Sequence, residues 1–236
     1  MQLNYPLCFL NVFLILAATS GTATAQTDSS CGNPFKNHFG PIDYRTANAY
    51  TKALVENVHF TPGIESLTRP GTTMFRDMAS DVGYTLRVFP NHHRALLTMA
   101  RAAKKFGSDP APNGIFTVNC YFERAVLFRP DDTVARALYA QYLAANARKD
   151  DAVQQLEIAT TFAKDNPFSQ YNIGLLYFEL GKFDKALERA HAAIALGNTR
   201  PELPDKLRAI NKWTELPGAT SGGIRAEPIR EGKKPE

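Results

Sequence analysis

The chain has 236 residues, 44% apolar and 21% charged, with 27 Lys and Arg against 23 Asp and Glu. Fifteen glycines and fifteen prolines are near ordinary usage, which excludes a collagen-like or wholly low-complexity chain. A net charge of +4 is too mild to predict nucleic acid or an anionic membrane as partner, and a mean hydropathy of −0.27 excludes a polytopic membrane protein.

Residues 1–25 carry no Lys, Arg, Asp or Glu. Leu7 to Ala18 is an apolar run of signal-peptide length, and Ala23-Thr24-Ala25 supplies the small-residue pattern a signal peptidase accepts. We expect cleavage after Ala25 and a periplasmic or secreted chain with no membrane span thereafter. The missing Lys or Arg before the apolar run leaves an uncleaved amphipathic anchor as the competing reading. No Cys stands where a lipoprotein would need one. With Cys8 in the leader, Cys31 and Cys120 remain in an oxidising compartment, and one disulfide between them is expected against the alternative of two free thiols. Their spacing fits neither a zinc site nor a C-x-x-C redox pair.

Residues 26–71 read as a non-repeat segment. Cys31-Gly32-Asn33-Pro34 and Phe60-Thr61-Pro62-Gly63 are turn chemistry. Between them lies one amphipathic helix from Tyr44 or Thr46 to about Val58, expected to turn Ala49, Ala53 and Val58 toward the core.

Self-similarity begins further on. Pro167 to Arg200 reads as two helices broken at Gly181. Ile173, Gly174 and Tyr177 share a face of the first, and Ala186, Ala190 and Ala193 a face of the second. A shift of 34 positions toward the N-terminus lands Tyr139, Ala140 and Leu143 on the first set and Ala152, Leu156 and Ala159 on the second. A further shift takes Ala159 to Ala125. The helix before it, RALLTMARAAKKFG, comes into register only if six residues are inserted, and Ser108 to Gly114, with two Pro and a Gly, is the place for them. This register resembles the tetratricopeptide repeat (TPR), whose period is 34 residues. The stretch from CG…GP-x-DYRTA through TLR-x-FPNH-x-RAL is also similar to exported proteins that contain TPR units. The resemblance implies an all-α fold: a TPR-type solenoid of helical hairpins over 72–216, with 72–90 as a leading helix, 202–214 as a capping helix and Trp213 packed on the last repeat. Residues 217–236 read as a disordered tail.

Chemistry is sparse. The adjacent pair His92-His93 points its rings about 100° apart on a helix, so neither supports the other on a metal. The expected arrangement is a helix entry with Asn91 as N-cap and both imidazoles partly exposed. His38, His59 and His191 are scattered. Asp131-Asp132 and Asp150-Asp151 read as N-caps of the following helices. No nucleophile elbow, zincin motif, phosphate loop or dinucleotide fingerprint occurs. No enzyme activity, cofactor or metal is expected.

What stacked hairpins offer is a concave face made by their first helices. The residues expected there are Arg94, Leu97, Arg101, Lys104 and Lys105 in the first unit. The second contributes Val134, Ala137, Gln141, Ala144 and Ala145, and the third Phe168, Tyr171, Leu175, Phe178 and Glu179. Such a groove is basic at one end and aromatic at the other, suited to a protein or peptide partner that joins acidic residues to an apolar anchor. The alternative is that the cations only solvate a surface and the aromatics cover the capping helix. TPR domains that clamp a C-terminal carboxylate use Lys and Asn at slots that hold Leu97 and Arg101, so that ligand is not expected. The function so implied is an exported adaptor or scaffold within a cell-envelope assembly. An envelope accessory enzyme or ligand-binding protein using the N-terminal region, or a polysaccharide-export subunit, is the alternative.

Overall fold

The computed structural model describes residues 31–68 and 78–215. The expected leader with its cleavage point after Ala25, the stretch 69–77 and the tail 217–236 lie outside the described residues. Among those described, the chain is all-helical, with no strand. A short N-terminal pair, α1 (Ala49–His59) and α2 (Pro62–Glu65), precedes α3 (Met78–Val88), α4 (His93–Phe106) and α5 (Val118–Phe128). Two close antiparallel hairpins follow: α6 (Thr133–Ala145) with α7 (Lys149–Phe162), and α8 (Pro167–Glu179) with α9 (Phe183–Ala195). The terminal helix α10 (Glu202–Ala209) packs on α8 and α9.

The periodicity of the sequence is written into the burial. Tyr139, Ala140 and Leu143 of α6 are buried, as are Ile173, Gly174 and Tyr177 of α8 at the same spacing. On the second helices, Val118, Phe122 and Ala125 are repeated as Ala152, Leu156 and Ala159 and again as Ala186, Ala190 and Ala193, all buried. The small residues let the helices of each hairpin approach closely. The helix entries repeat as well. His92, Asp132 and Asn166 each accept a backbone N–H three residues on, from Ala95, Ala135 and Ser169. Each cap donates its own N–H to the carbonyl three residues back, on Phe89, Arg129 and Ala163. The exits correspond too: Gly107, Ala147 and Gly181 all take positive φ, at 66°, 61° and 72°.

Several local expectations are corrected. His92, not Asn91, caps α4, and it is fully buried where partial exposure was expected. Asn91 is freed to bind across the fold instead. Asp150 and Asp151 sit inside the first turn of α7, whose cap residue Arg148 makes no side-chain cap bond, so they act on the helix dipole. Helix α1 is turned from the expected face. Val55 is buried with Val88 and Phe89, while Ala49 and Val58 are exposed. Two polar anchors set that rotation: Glu56 accepts from His92, and His59 pairs with Asp81 of α3 at 2.8 Å.

The disulfide between Cys31 and Cys120 is formed, joining the N-terminal segment to the first turn of α5 across 89 positions. No helix among the described residues is long and apolar enough to cross a membrane.

Candidate functional site: a trough across three helices

Because α4, α6 and α8 begin at equivalent caps and lie side by side, their outer faces form one trough. Its wider part is a cleft of about 730 Å³ between α4, α6, the start of α5 and the turn after Gly107. A smaller depression of about 300 Å³ between α6 and α8 shares Gln141 and Ala145 with it. The difference in size follows from the connections. Residues 146–148 and 180–182 close the later hairpins tightly, whereas 107–117 hold α4 and α5 apart. The inserted segment thus opens the cleft, and the buried Phe122 lines its floor. Phe122 stacks on both Tyr139 and Tyr142, each ring centroid 5.3 Å away. Burial raises the pKa of Tyr142, helped by the Asp109 carboxylate that accepts its hydroxyl at 3.4 Å.

The cleft brings together Arg101, Lys104 and Gln141 of the residues expected from sequence, with Leu97 beside them. Arg101 donates to the Glu65 carbonyl at 3.0 Å and to Thr98 Oγ1 at 2.8 Å. Lys105 turns the other way and donates to the Leu67 carbonyl at 2.6 Å. Arg94 lies over Phe60 and is paired with Glu65, which keeps the Glu65 carboxyl below its usual range. The Lys104 side chain has no hydrogen-bond or ion-pair partner among the described residues, and Arg101 makes no ion pair there although its charge reaches the Glu65 carboxylate. A cationic rim above an aromatic and aliphatic floor can hold an anionic group next to an apolar one.

The aromatic residues expected at the far end are placed differently. Tyr171 is 3% exposed and belongs to the core beside Leu203 and Leu207 of α10. Phe178 is half-buried against Phe183, with Lys206 of α10 over its ring at 5.7 Å. Phe168 stays exposed, with Arg200 above it at 5.3 Å. The returning C-terminal segment lies against all three. What lines the far depression instead is Leu176, Glu179, Leu180 and Lys149. Sequence reasoning missed Leu138, Tyr142, Phe122 and Asp109 as cleft residues. The signal for them was the break in the 34-residue register itself, since an insertion between two packed helices must separate them.

Three histidines, His59, His92 and His93, are held by carboxylates in structural pairs, while His191 meets the Thr214 carbonyl. The N–H of Ala95 donates to His92 Nδ1, so the ring proton is on Nε2 and is donated to Glu56 Oε1 at 2.8 Å. The Tyr44 hydroxyl donates to the same oxygen, which, after burial, pushes its pKa up to about 12. Burial lowers the His92 pKa to about 4 although Glu56 pulls the other way. His93 meets Asp132 at 2.9 Å, and Asn91 joins Asp132 to Asp43 through its amide. Burial raises the Asp132 and Asp43 pKa values, but these hydrogen bonds, with Arg45 on Asp43, outweigh it and keep both carboxyls well below the usual range. The network fastens residues 43–56 to the entries of α4 and α6. Among the described residues, Cys31, Cys120 and Glu123 converge as a set of potential metal donors, but both sulfurs are tied in the disulfide. The fit to a cation is therefore poor. The sequence matches no model of a known protein family and no curated protein.

Proposed function

We propose that the chain is an exported TPR-type scaffold whose trough over α4, α6 and α8 binds an acidic segment of a protein partner in the cell envelope. Three features support this reading. Buried positions recur at the spacing of that repeat, and the helix caps and exits recur with them. A disulfide suits a chain that works in an oxidising compartment. The observation that carries the ligand class is that Arg101 and Lys104, neither in an ion pair among the described residues, line the same cleft as Phe122 and Tyr142.

A library of fluorescent peptides that places two or three acidic residues beside an aromatic or aliphatic anchor tests it. Binding is expected to weaken by about tenfold or more in Arg101→Glu with Lys104→Glu, as loss of two charge contacts requires. Lys164→Glu, at an exposed position away from the trough, serves as the charge control. An absence of binding across the library, or equal loss in the control, overturns the proposal.

A further inference from the structure

On the other side of α5 from the cleft, two arginines and a tyrosine are gathered with no carboxylate partner among the described residues. Arg124 is 4% exposed, yet its guanidinium makes one hydrogen bond, from Nη1 to the Cys31 carbonyl at 3.0 Å. Its Nε is buried with no partner, and so is the hydroxyl of Tyr121, itself 1% exposed. Arg87 of α3, half-buried, is close enough that its like charge adds to burial in lowering the Arg124 pKa. Neither arginine has a carboxylate partner among the described residues. The contrast with Arg136 is instructive. That arginine is buried as deeply but donates to the Pro130 carbonyl and to Gln155.

The phenyl ring of Phe116 lies under the Arg124 guanidinium at 4.8 Å, and Tyr84 lies under that of Arg87 at 5.6 Å. Stacking covers the faces of both groups and leaves donor edges free, the geometry suited to oxygen acceptors. Beside Tyr121 and Arg87 stands Gly83, inside α3, where a glycine costs about 1 kcal/mol of helix stability relative to Ala. A Cβ there would come within 2.7 Å of the Tyr121 hydroxyl oxygen and 3.8 Å of Arg87 Nη1. The bare backbone makes room for the Tyr121 hydroxyl, which packs against it beside Arg87. Burying a cation with unmet donors is costly unless an anion meets them.

We propose that Arg87 and Tyr121, which meet at Gly83, together with Arg124 form a binding site for a dianionic oxyanion: free phosphate or sulfate, or a phosphate group carried on a ligand. Two guanidinium charges match a dianion better than a monovalent carboxylate, and the half-buried Arg87 provides the entry. Disulfide-bonded Cys31 contributes through its carbonyl, which holds the Arg124 guanidinium in place. This site is separate from the trough and does not depend on the reading of it.

The test uses the intact, oxidised chain at constant ionic strength, titrated with inorganic phosphate, sulfate, acetate and phenyl phosphate, and read by isothermal calorimetry and by thermal midpoint. Phosphate and sulfate are expected to bind and to raise the midpoint, and acetate at the same ionic strength to do neither. Arg87→Gln, at a half-buried position, keeps the fold and is expected to weaken binding about tenfold. Gly83→Ala drives its Cβ against the Tyr121 hydroxyl, displacing that donor, and is expected to abolish binding. A midpoint rise that persists equally in both variants is general salting-out and overturns the proposal. So does a wild-type chain that binds neither phosphate nor sulfate. Binding of phenyl phosphate as well assigns the site to a ligand-borne group; binding of the inorganic ions alone assigns it to the free ion.

Discussion

His92 occupies a position where one side chain meets three demands: it caps α4, donates to Glu56 and packs its ring against Tyr44 at 3.9 Å. Only the neutral ring can accept the Ala95 N–H, and burial keeps it neutral down to about pH 4. The unfolded chain takes up the proton near the ordinary value of 6.5. Stability from this group is therefore complete above pH 6.5, declines as the pH falls toward 4, and loses about 3 kcal/mol over that window. Urea midpoints measured from pH 7 to pH 4 should fall, and His92→Asn should remove that part of the slope while keeping a capping oxygen. Ala147 presents a different residue-scale conflict. It stands where Gly107 and Gly181 stand in the other units, with φ of 61°, a conformation that strains a residue with a Cβ. Ala147→Gly is expected to stabilise by about 0.5–1 kcal/mol, seen as a raised urea midpoint with unchanged slope.

At the scale of elements, the two tight hairpins solve the same problem with opposite polarity. Arg136 of α6 donates to Gln155 of α7, whereas Arg189 of α9 donates to Gln170 of α8. In both, the residue on the first helix also donates to a carbonyl just before that helix, Pro130 or Ala163. The pair is thus exchangeable in principle. Gln155→Arg alone places two guanidinium groups together and should cost about 2 kcal/mol. Adding Arg136→Gln should recover most of that loss in a double-mutant cycle. A cycle in which the two changes simply add would show that backbone differences between the hairpins, not side-chain pairing, hold them. The spacing of apolar residues does not pair these side chains. Which second-helix residue reaches them depends on the hairpin's crossing geometry, which the spacing alone leaves open.

Across the whole molecule, three bodies of contact are joined: the N-terminal segment latched by its polar network and disulfide, the paired helices, and α10 folded back on α8. The trough belongs to all of the central helices, so its electrostatics are set by residues far apart in sequence. If acidic peptides bind at the Arg101–Lys104 rim, raising salt from 50 to 500 mM should weaken them by several-fold, because the rim is solvent-exposed and screened within about a Debye length. Affinity independent of salt would assign binding to the apolar floor alone.

The amino-acid order by itself determined the helical class, the 34-residue register and the residues that face inward along it. Those features rest on local periodicity and on small side chains, which act over a few turns wherever the chain lies. It also suggested the bond between Cys31 and Cys120 from number and compartment. Only the tertiary structure decided that Tyr171 belongs to the core, that His92 is buried and neutral, and that Arg87 and the Tyr121 hydroxyl meet at Gly83. Each depends on a long-range partner: α10 arriving over α8, the 43–56 segment arriving over α4, and α3 packing beside α5. Burial of a polar or aromatic group is a property of what lands on it, and no window of neighbouring residues contains that information.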